Sequence, residues 1–172
     1  MKFVVNYEKY LANINHPLSF KIHEFEDIFD NTNKKKCELK VMTNSLAHIA
    51  IAVENIENAK SLFELITGGI ASENHQVESQ KVSTSFINFG GTSIELLEPV
   101  GDDTPISKFL SQKGGGIHHL CIETDEFDNL IEKIKNTGVR ILGDPFIGAK
   151  NKRVVFFHPK DTFNVLIELE EK

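Results

Sequence analysis

The sequence predicts an α+β fold of two tandem βαβββ modules that pair into a curved mixed sheet, a cup with the module helices outside. Three observations carry this. The stretches Ala47–Val53 and His118–Thr124 match when His48 is laid over His119, and both place apolar residues at every second position, as strands do. A second pair matches downstream, with Ser93–Glu98 (SIELLE) lying over Leu166–Glu171 (LIELEE). The separations also agree: 71 residues from His48 to His119 and 73 from Glu95 to Glu168, a difference that one short loop absorbs.

Taken in order, residues 1 to 44 stand outside the repeat as an N-terminal extension. The alternation of Leu18, Phe20 and Ile22 suggests a strand, followed by a short turn or helix up to Phe29; Asn31–Lys36 reads as a polar linker. His16 and His23 are surface or packing residues. The repeat unit spans 45–172. Its first module, about 46–98, opens with a strand over Leu46–Val53. A helix over Ile56–Ile66 follows, with Ile56, Ala59, Leu62, Phe63 and Ile66 at helical spacing and Gly68-Gly69 as its stop. Strands over Ile70–Glu73, Val82–Phe89 and Thr92–Glu98 complete the module, the last two joined by the turn Gly90-Gly91.

A linker helix over about 104–112 starts with Thr104 as N-cap and Pro105 at the first helical position, and Gly114-Gly115-Gly116 ends it. The second module, about 117–171, repeats the order: strand Ile117–Thr124, a helix over Glu126–Thr137 with the stripe Phe127, Leu130, Ile131 and Ile134, then strands over Val139–Leu142, Arg153–His158 and Asn164–Glu170.

Composition narrows the function classes. The 172 residues are 40% hydrophobic and 26% charged, a globular composition. A net charge of −6, with no basic stripe, argues against a nucleic-acid partner. No apolar run approaches the roughly 20 residues of a membrane span, and the N-terminus lacks the pattern of a signal peptide. Two cysteines, Cys37 and Cys121, form no disulfide framework, so reduced thiols in the cytoplasm or an equivalent reducing compartment are expected.

Strand parity assembles a candidate site. Ile49, Ile51 and Val53 suit the helix side, which turns His48, Ala50 and Ala52 into the cup; Leu120 and Ile122 do the same for His119, Cys121 and Glu123, with His118 facing away. Glu95 and Glu168 oppose their apolar neighbours. Two histidines and two glutamates at matching places in a repeat suit one borderline divalent ion such as Co, Zn, Ni or Mn, with the small Ala50, Ala52 and Cys121 leaving room beside it. His118 is expected behind the ligands or in the core, His158 as a structural residue, and His75 in a loop.

These residues resemble the vicinal oxygen chelate superfamily, which includes glyoxalase I and several dioxygenases, and within it the methylmalonyl-CoA epimerases. The segments that carry the resemblance are 48–53, 94–99, 104–110, 115–122, 147–149, 157–161 (FHPKD) and 165–170, spread over the whole repeat. The resemblance implies a metal held by His48, Glu95, His119 and Glu168 and an isomerase that epimerises C2 of methylmalonyl-CoA through an enolate, with Glu168 as a catalytic base.

Some relatives carry a further glutamate where this chain has Thr84, so the second base is expected to be Glu95, with Glu78 as the other candidate. Phe163-Asn164 replaces the small residues usual before the last strand. Lys150, Lys152 and Arg153 are expected near the mouth, as contacts for coenzyme A phosphates or as a solvated basic turn. The expected assembly is a homodimer. A glyoxalase-type isomerase, an epimerase of another acyl thioester, and a non-catalytic binding module of the same fold remain as alternatives.

Overall fold

The computed structural model describes residues 25–29, 35–39 and 44–172. The chain divides into two compact units, Met1–Met42 and Thr43–Lys172. In the first, β1 (Phe25–Phe29) pairs antiparallel with β2 (Lys35–Leu39), Phe25 opposite Leu39 and Phe29 opposite Lys35. This corrects the turn or helix expected before Phe29 and the linker expected to run through Lys36. Pairing across a hairpin decides such short segments, and neither strand carries a strong period of its own. The alternation at Leu18, Phe20 and Ile22, and the histidines at 16 and 23, lie outside the described residues.

The second unit runs β3 (Ser45–Ala52), α1 (Ile56–Thr67), β4 (His75–Val77), β5 (Val82–Phe89), β6 (Thr92–Pro99), α2 (Pro105–Lys113), β7 (Gly116–Thr124), α3 (Phe127–Lys135), β8 (Ile141–Ile147), β9 (Arg153–Phe157) and β10 (Ile167–Glu171). Its eight strands form one curled sheet in the order β4-β5-β6-β3-β7-β10-β9-β8. The order is two-fold symmetric about the antiparallel pair β3 and β7. On either side a parallel neighbour follows, β6 beside β3 and β10 beside β7, so the two histidine strands and the two glutamate strands occupy the centre. Among the described residues, no helix is long and apolar enough to cross a membrane.

The outer face carries the module helices. Asn55 caps α1, its side chain accepting from the Asn58 N–H, and Gly68 ends it in the left-handed conformation. Ile56, Ala59 and Phe63 pack on Ile87, Ile94 and Leu96. The expected stripe was wider: Leu62 and Ile66 are exposed, at 54% and 65%, because the helix meets the sheet along one narrow line. On the other module Phe127, Leu130, Ile131 and Ile134 of α3 cover Val155, Phe157 and Leu169.

Helix α2 instead lies on the concave face. Its N-terminus is a reciprocal capping box between Thr104 and Ser107, and Pro105 fits the first turn. Ile106 is buried against Ala50, Ala52, Val82 and Leu97, with Phe109 and Leu110 beside it. The room expected beside Ala50 and Ala52 is therefore filled by α2. After α2 the chain enters β7 through Gly115, whose φ is +100° and whose absent side chain lets Ala52 O approach to 3.1 Å of where a Cβ would stand.

Three strands shift from their expected places: β8 runs over Ile141–Ile147 where Val139–Leu142 was expected, and His75, expected in a loop, opens β4. The strand expected at Ile70–Glu73 lies instead at His75–Val77, and Ala71 forms only an isolated bridge to Ile87. The last strand begins at Ile167, since Phe163 and Asn164 both take left-handed φ values of 56° and 63° that no strand accepts.

Candidate functional site

Each central strand presents its histidine next to a β-bulge. Between the pairs Leu46–Ile122 and His48–Cys121 the extra residue is Ala47 on β3; between Ala50–His119 and Ile51–Ile117 it is His118 on β7. The bulges are related by the same pseudo-symmetry as the histidines, and each re-aims the side chain that follows it. In the parallel strands alongside, Glu95 is paired with Ala50 and Glu168 with Cys121.

The result is a buried cluster. His48 Nε2 stands 3.1 Å from Glu95 Oε2 and 3.2 Å from Glu168 Oε2. His119 Nε2 is 2.9 Å from Glu168 Oε2 and 3.7 Å from Glu95 Oε2, and the two imidazole Nε2 atoms are 3.3 Å apart. All four residues are 3 to 7% exposed. Burial opposes a charge on His48, but hydrogen bonds to Glu168 and Glu95 outweigh it and raise its pKa. Burial likewise opposes ionisation of Glu168, and its bonds to His119 and His48 outweigh that and lower its pKa.

The arrangement suits a divalent ion on two grounds. Donors held about 2.1 Å from a common centre are separated by about 3.0 to 3.4 Å from one another in octahedral or tetrahedral order, close to the 2.9 to 3.7 Å seen here. The buried carboxyl oxygens of Glu95 and Glu168 also supply the negative charge that such an ion neutralises. Cys121 lies at the same cluster with its Sγ close to His48 and Glu168; burial first, then the charges of Glu168 and Glu170, push its thiol far up, so it stays protonated.

Several residues join the site without having been expected there. His118 lines the cavity instead of facing away, because it is the bulged residue, and its Nδ1 is 2.9 Å from His119 Nδ1. Burial and the neighbouring His119 lower its pKa to about 4, so it is neutral. Phe86 and Phe156 stand edge-on to His48 and His119, with centroids 5.8 and 5.2 Å away. They are opposite Glu95 and Glu168 in the sheet register, so extending the repeat overlay by one strand would have found both.

A cavity of about 280 Å³ opens from the cluster. Val77, Val82, Leu97 and Ile106 line its first-module side and Phe146 and Phe156 the other. Lys150 lines it too, with Nζ 4.9 Å from the Phe86 centroid. Lys152 is instead bound to the buried Glu170 at 3.2 Å, with Glu123 at 3.7 Å. Arg153 lies over the Phe127 ring of α3, its guanidinium forked between Asp128 and Glu171 and away from the cavity lining. Glu78 belongs to the 3-10 turn Glu78–Gln80 and is not among the lining residues, whereas Thr84 and Gln80 are.

Fold and cluster together define a class, and the chain belongs to the Glyoxalase/Bleomycin resistance protein/Dioxygenase superfamily, whose profile matches residues 47–156. Within that class it is 43% identical over 128 residues to the mitochondrial methylmalonyl-CoA epimerase of Mus musculus, covering 73% of this chain and 72% of that protein. It is 38% identical over 133 residues to the ethylmalonyl-CoA/methylmalonyl-CoA epimerase of Cereibacter sphaeroides, covering 76% of this chain and 99% of that one. A solved structure of a variant Streptomyces coelicolor methylmalonyl-CoA epimerase in complex with 2-nitronate-propionyl-CoA superimposes with a TM-score of 0.70 at 30% identity, over 74% of this chain and 96% of that chain.

Proposed function

We propose that this protein is a metal-dependent isomerase that interconverts the two C2 epimers of methylmalonyl-CoA. The observation that carries the reading is the meeting of His48, Glu95, His119 and Glu168 at the end of a mostly apolar cavity. These four residues are the proposed ligands of one divalent ion, with Co, Zn, Ni and Mn all compatible with two imidazoles and two carboxylates. When bound, the ion supplies Lewis acidity that favours loss of a proton next to the thioester.

The chain's own residues supply the proton transfers. Glu168 takes the C2 proton on one face. Glu95, its partner across the pseudo-two-fold axis, returns a proton on the other face, so that the products are the epimer and the exchanged pair of carboxyl groups. With His119 Nε2 engaged at the cluster, its Nδ1–H donates to the neutral His118, which fixes the tautomer and tilt of the ring. Phe86 and Phe156 limit rotation of both imidazoles and help to exclude water.

Of the three basic residues, the proposed contact for coenzyme A phosphates is Lys150, the one that lines the cavity. Residues 45–172 are the proposed catalytic domain, with 1–44 a separate extension. The buried free thiol of Cys121 fits a cytoplasmic, reducing setting, and the exposed Leu62, Leu65 and Ile66 of α1 support a homodimer.

Proton–deuteron exchange at C2 of methylmalonyl-CoA in D2O, followed by NMR, tests the function. Metal-stripped protein should be inactive and cobalt-reloaded protein active. Folded protein that fails to exchange with any of the four metals would sink the reading.

A further inference from the structure

Thr84 lines the cavity and carries a buried hydroxyl with no partner among the described residues. On β5 it shares the concave face with Phe86, two residues along, and its side chain lines the cavity wall. It is 1% exposed, and among the described residues its Oγ1 has no hydrogen-bond partner. Its strand is paired on both sides, to β4 at His75 and to β6 at Leu97, so the ladder takes up the neighbouring backbone groups. Val77, Val82, Leu97 and Ile106 on the same wall offer no side-chain acceptor. A buried hydroxyl without a partner is costly, whereas valine would fill the same volume with no such cost. The hydroxyl is accounted for if an oxygen of the bound ligand completes it.

We infer that Thr84 Oγ1 donates a hydrogen bond to an oxygen at the acyl end of the substrate and is a positioning residue for C2. The inference rests on the acyl-CoA reading of the site. The depth of Thr84 selects the acyl end, because the nucleotide end of coenzyme A is too large and too polar to be buried against this wall. That end presents two acceptors, the free carboxylate and the thioester oxygen, both one bond from carbons attached to C2. In the sheet, β5 lies on the first-module side of the central pair and β10 on the second. A ligand oxygen bonded at Thr84 therefore anchors the acyl group from the wall across from Glu168, which holds the C2–H bond at the base.

The test compares Thr84→Val and Thr84→Ser with the unaltered, cobalt-loaded protein. Calorimetry gives Kd for malonyl-CoA and for propionyl-CoA, which lacks the carboxylate; C2 exchange gives kcat and KM; thermal melting reports the fold. Thr84→Val should weaken malonyl-CoA binding and raise KM about tenfold or more, leave Tm unchanged or higher, and be rescued to near the original values by Thr84→Ser. Loss confined to malonyl-CoA assigns the carboxylate as acceptor, and equal loss for both assigns the thioester oxygen.

If exchange is present in the unaltered protein and Thr84→Val binds both thioesters within twofold of it, the inference is overturned while the epimerase reading stands. If the unaltered protein neither exchanges the proton nor binds malonyl-CoA, the reading of the site is overturned and the inference with it.

Discussion

Replacing Glu168 by glutamine keeps the shape of the side chain while removing its charge and its capacity to take up a proton, and so tests its proposed role as the base. The residue is 7% exposed, so solvent screens little of the change. Its Oε2 lies 2.9 Å from His119 Nε2 and 3.2 Å from His48 Nε2. An amide oxygen can keep both contacts, but a neutral acceptor gives roughly half the strength of a charged one, a loss of about 1 to 3 kcal/mol at the cluster. His48, Glu95 and His119 remain within 3.7 Å of one another, so the ion is held more weakly and is restored by excess cobalt. The chemistry loses more, since a positioned general base contributes about 10²- to 10⁴-fold. With saturating cobalt, Glu168→Gln should therefore exchange C2 protons on the order of 10³ times more slowly. The assay is NMR exchange in D2O with cobalt content measured on the same sample. Full cobalt occupancy with exchange within about tenfold of the original rate would refute the assignment of Glu168 as the base.

Binding of the ion should release about one proton at pH 7, because the Glu168 and Glu95 contacts outweigh burial and raise the pKa of His48 to about 9, and that proton must leave its Nε2. Calorimetry in buffers of different ionisation enthalpy measures the release, and buffer-independent heats would contradict it. By the same sign, the stability that His48 gives the metal-free protein is complete below its ordinary pKa of 6.5 and disappears as the pH rises through about 9, which thermal melts across that range will detect. Lys150→Ala should raise KM for the acyl-CoA about three- to tenfold with kcat preserved, while Arg153→Ala should leave KM unchanged, since its guanidinium is already bound by Asp128 and Glu171; steady-state kinetics showing equal effects would overturn the placement. Ile106→Ala removes the side chain that fills the concave face beside Ala50 and Ala52 and should cost about 2 to 4 kcal/mol in urea unfolding, with a loss under about 1 kcal/mol showing that α2 packs loosely.

The sequence alone determined the features written in local periods and in the duplication. Alternation over 47–53 and 118–124 marked the central strands, helical spacing marked α1 and α3, and Thr104-Pro105 marked the start of α2. Parity along the strands put His48, Glu95, His119 and Glu168 on one face, because a strand's side-chain direction depends only on its own backbone.

Tertiary structure decided what depends on partners distant in the chain. His118 turns into the cavity because β7 bulges against β3, and no property of β7 by itself signals that offset. Ile106 occupies the space that Ala50 and Ala52 leave open, Arg153 is claimed by Asp128 and Glu171, and Lys150 reaches across to the Phe86 ring. At Thr84 the sequence shows only the absence of a glutamate that some relatives carry; that its hydroxyl is buried without a partner among the described residues follows from the sheet around it. The physical reason is the same in each case: periodicity sets which way a side chain points, whereas its neighbours are set by strand register and by the packing of elements far apart in sequence.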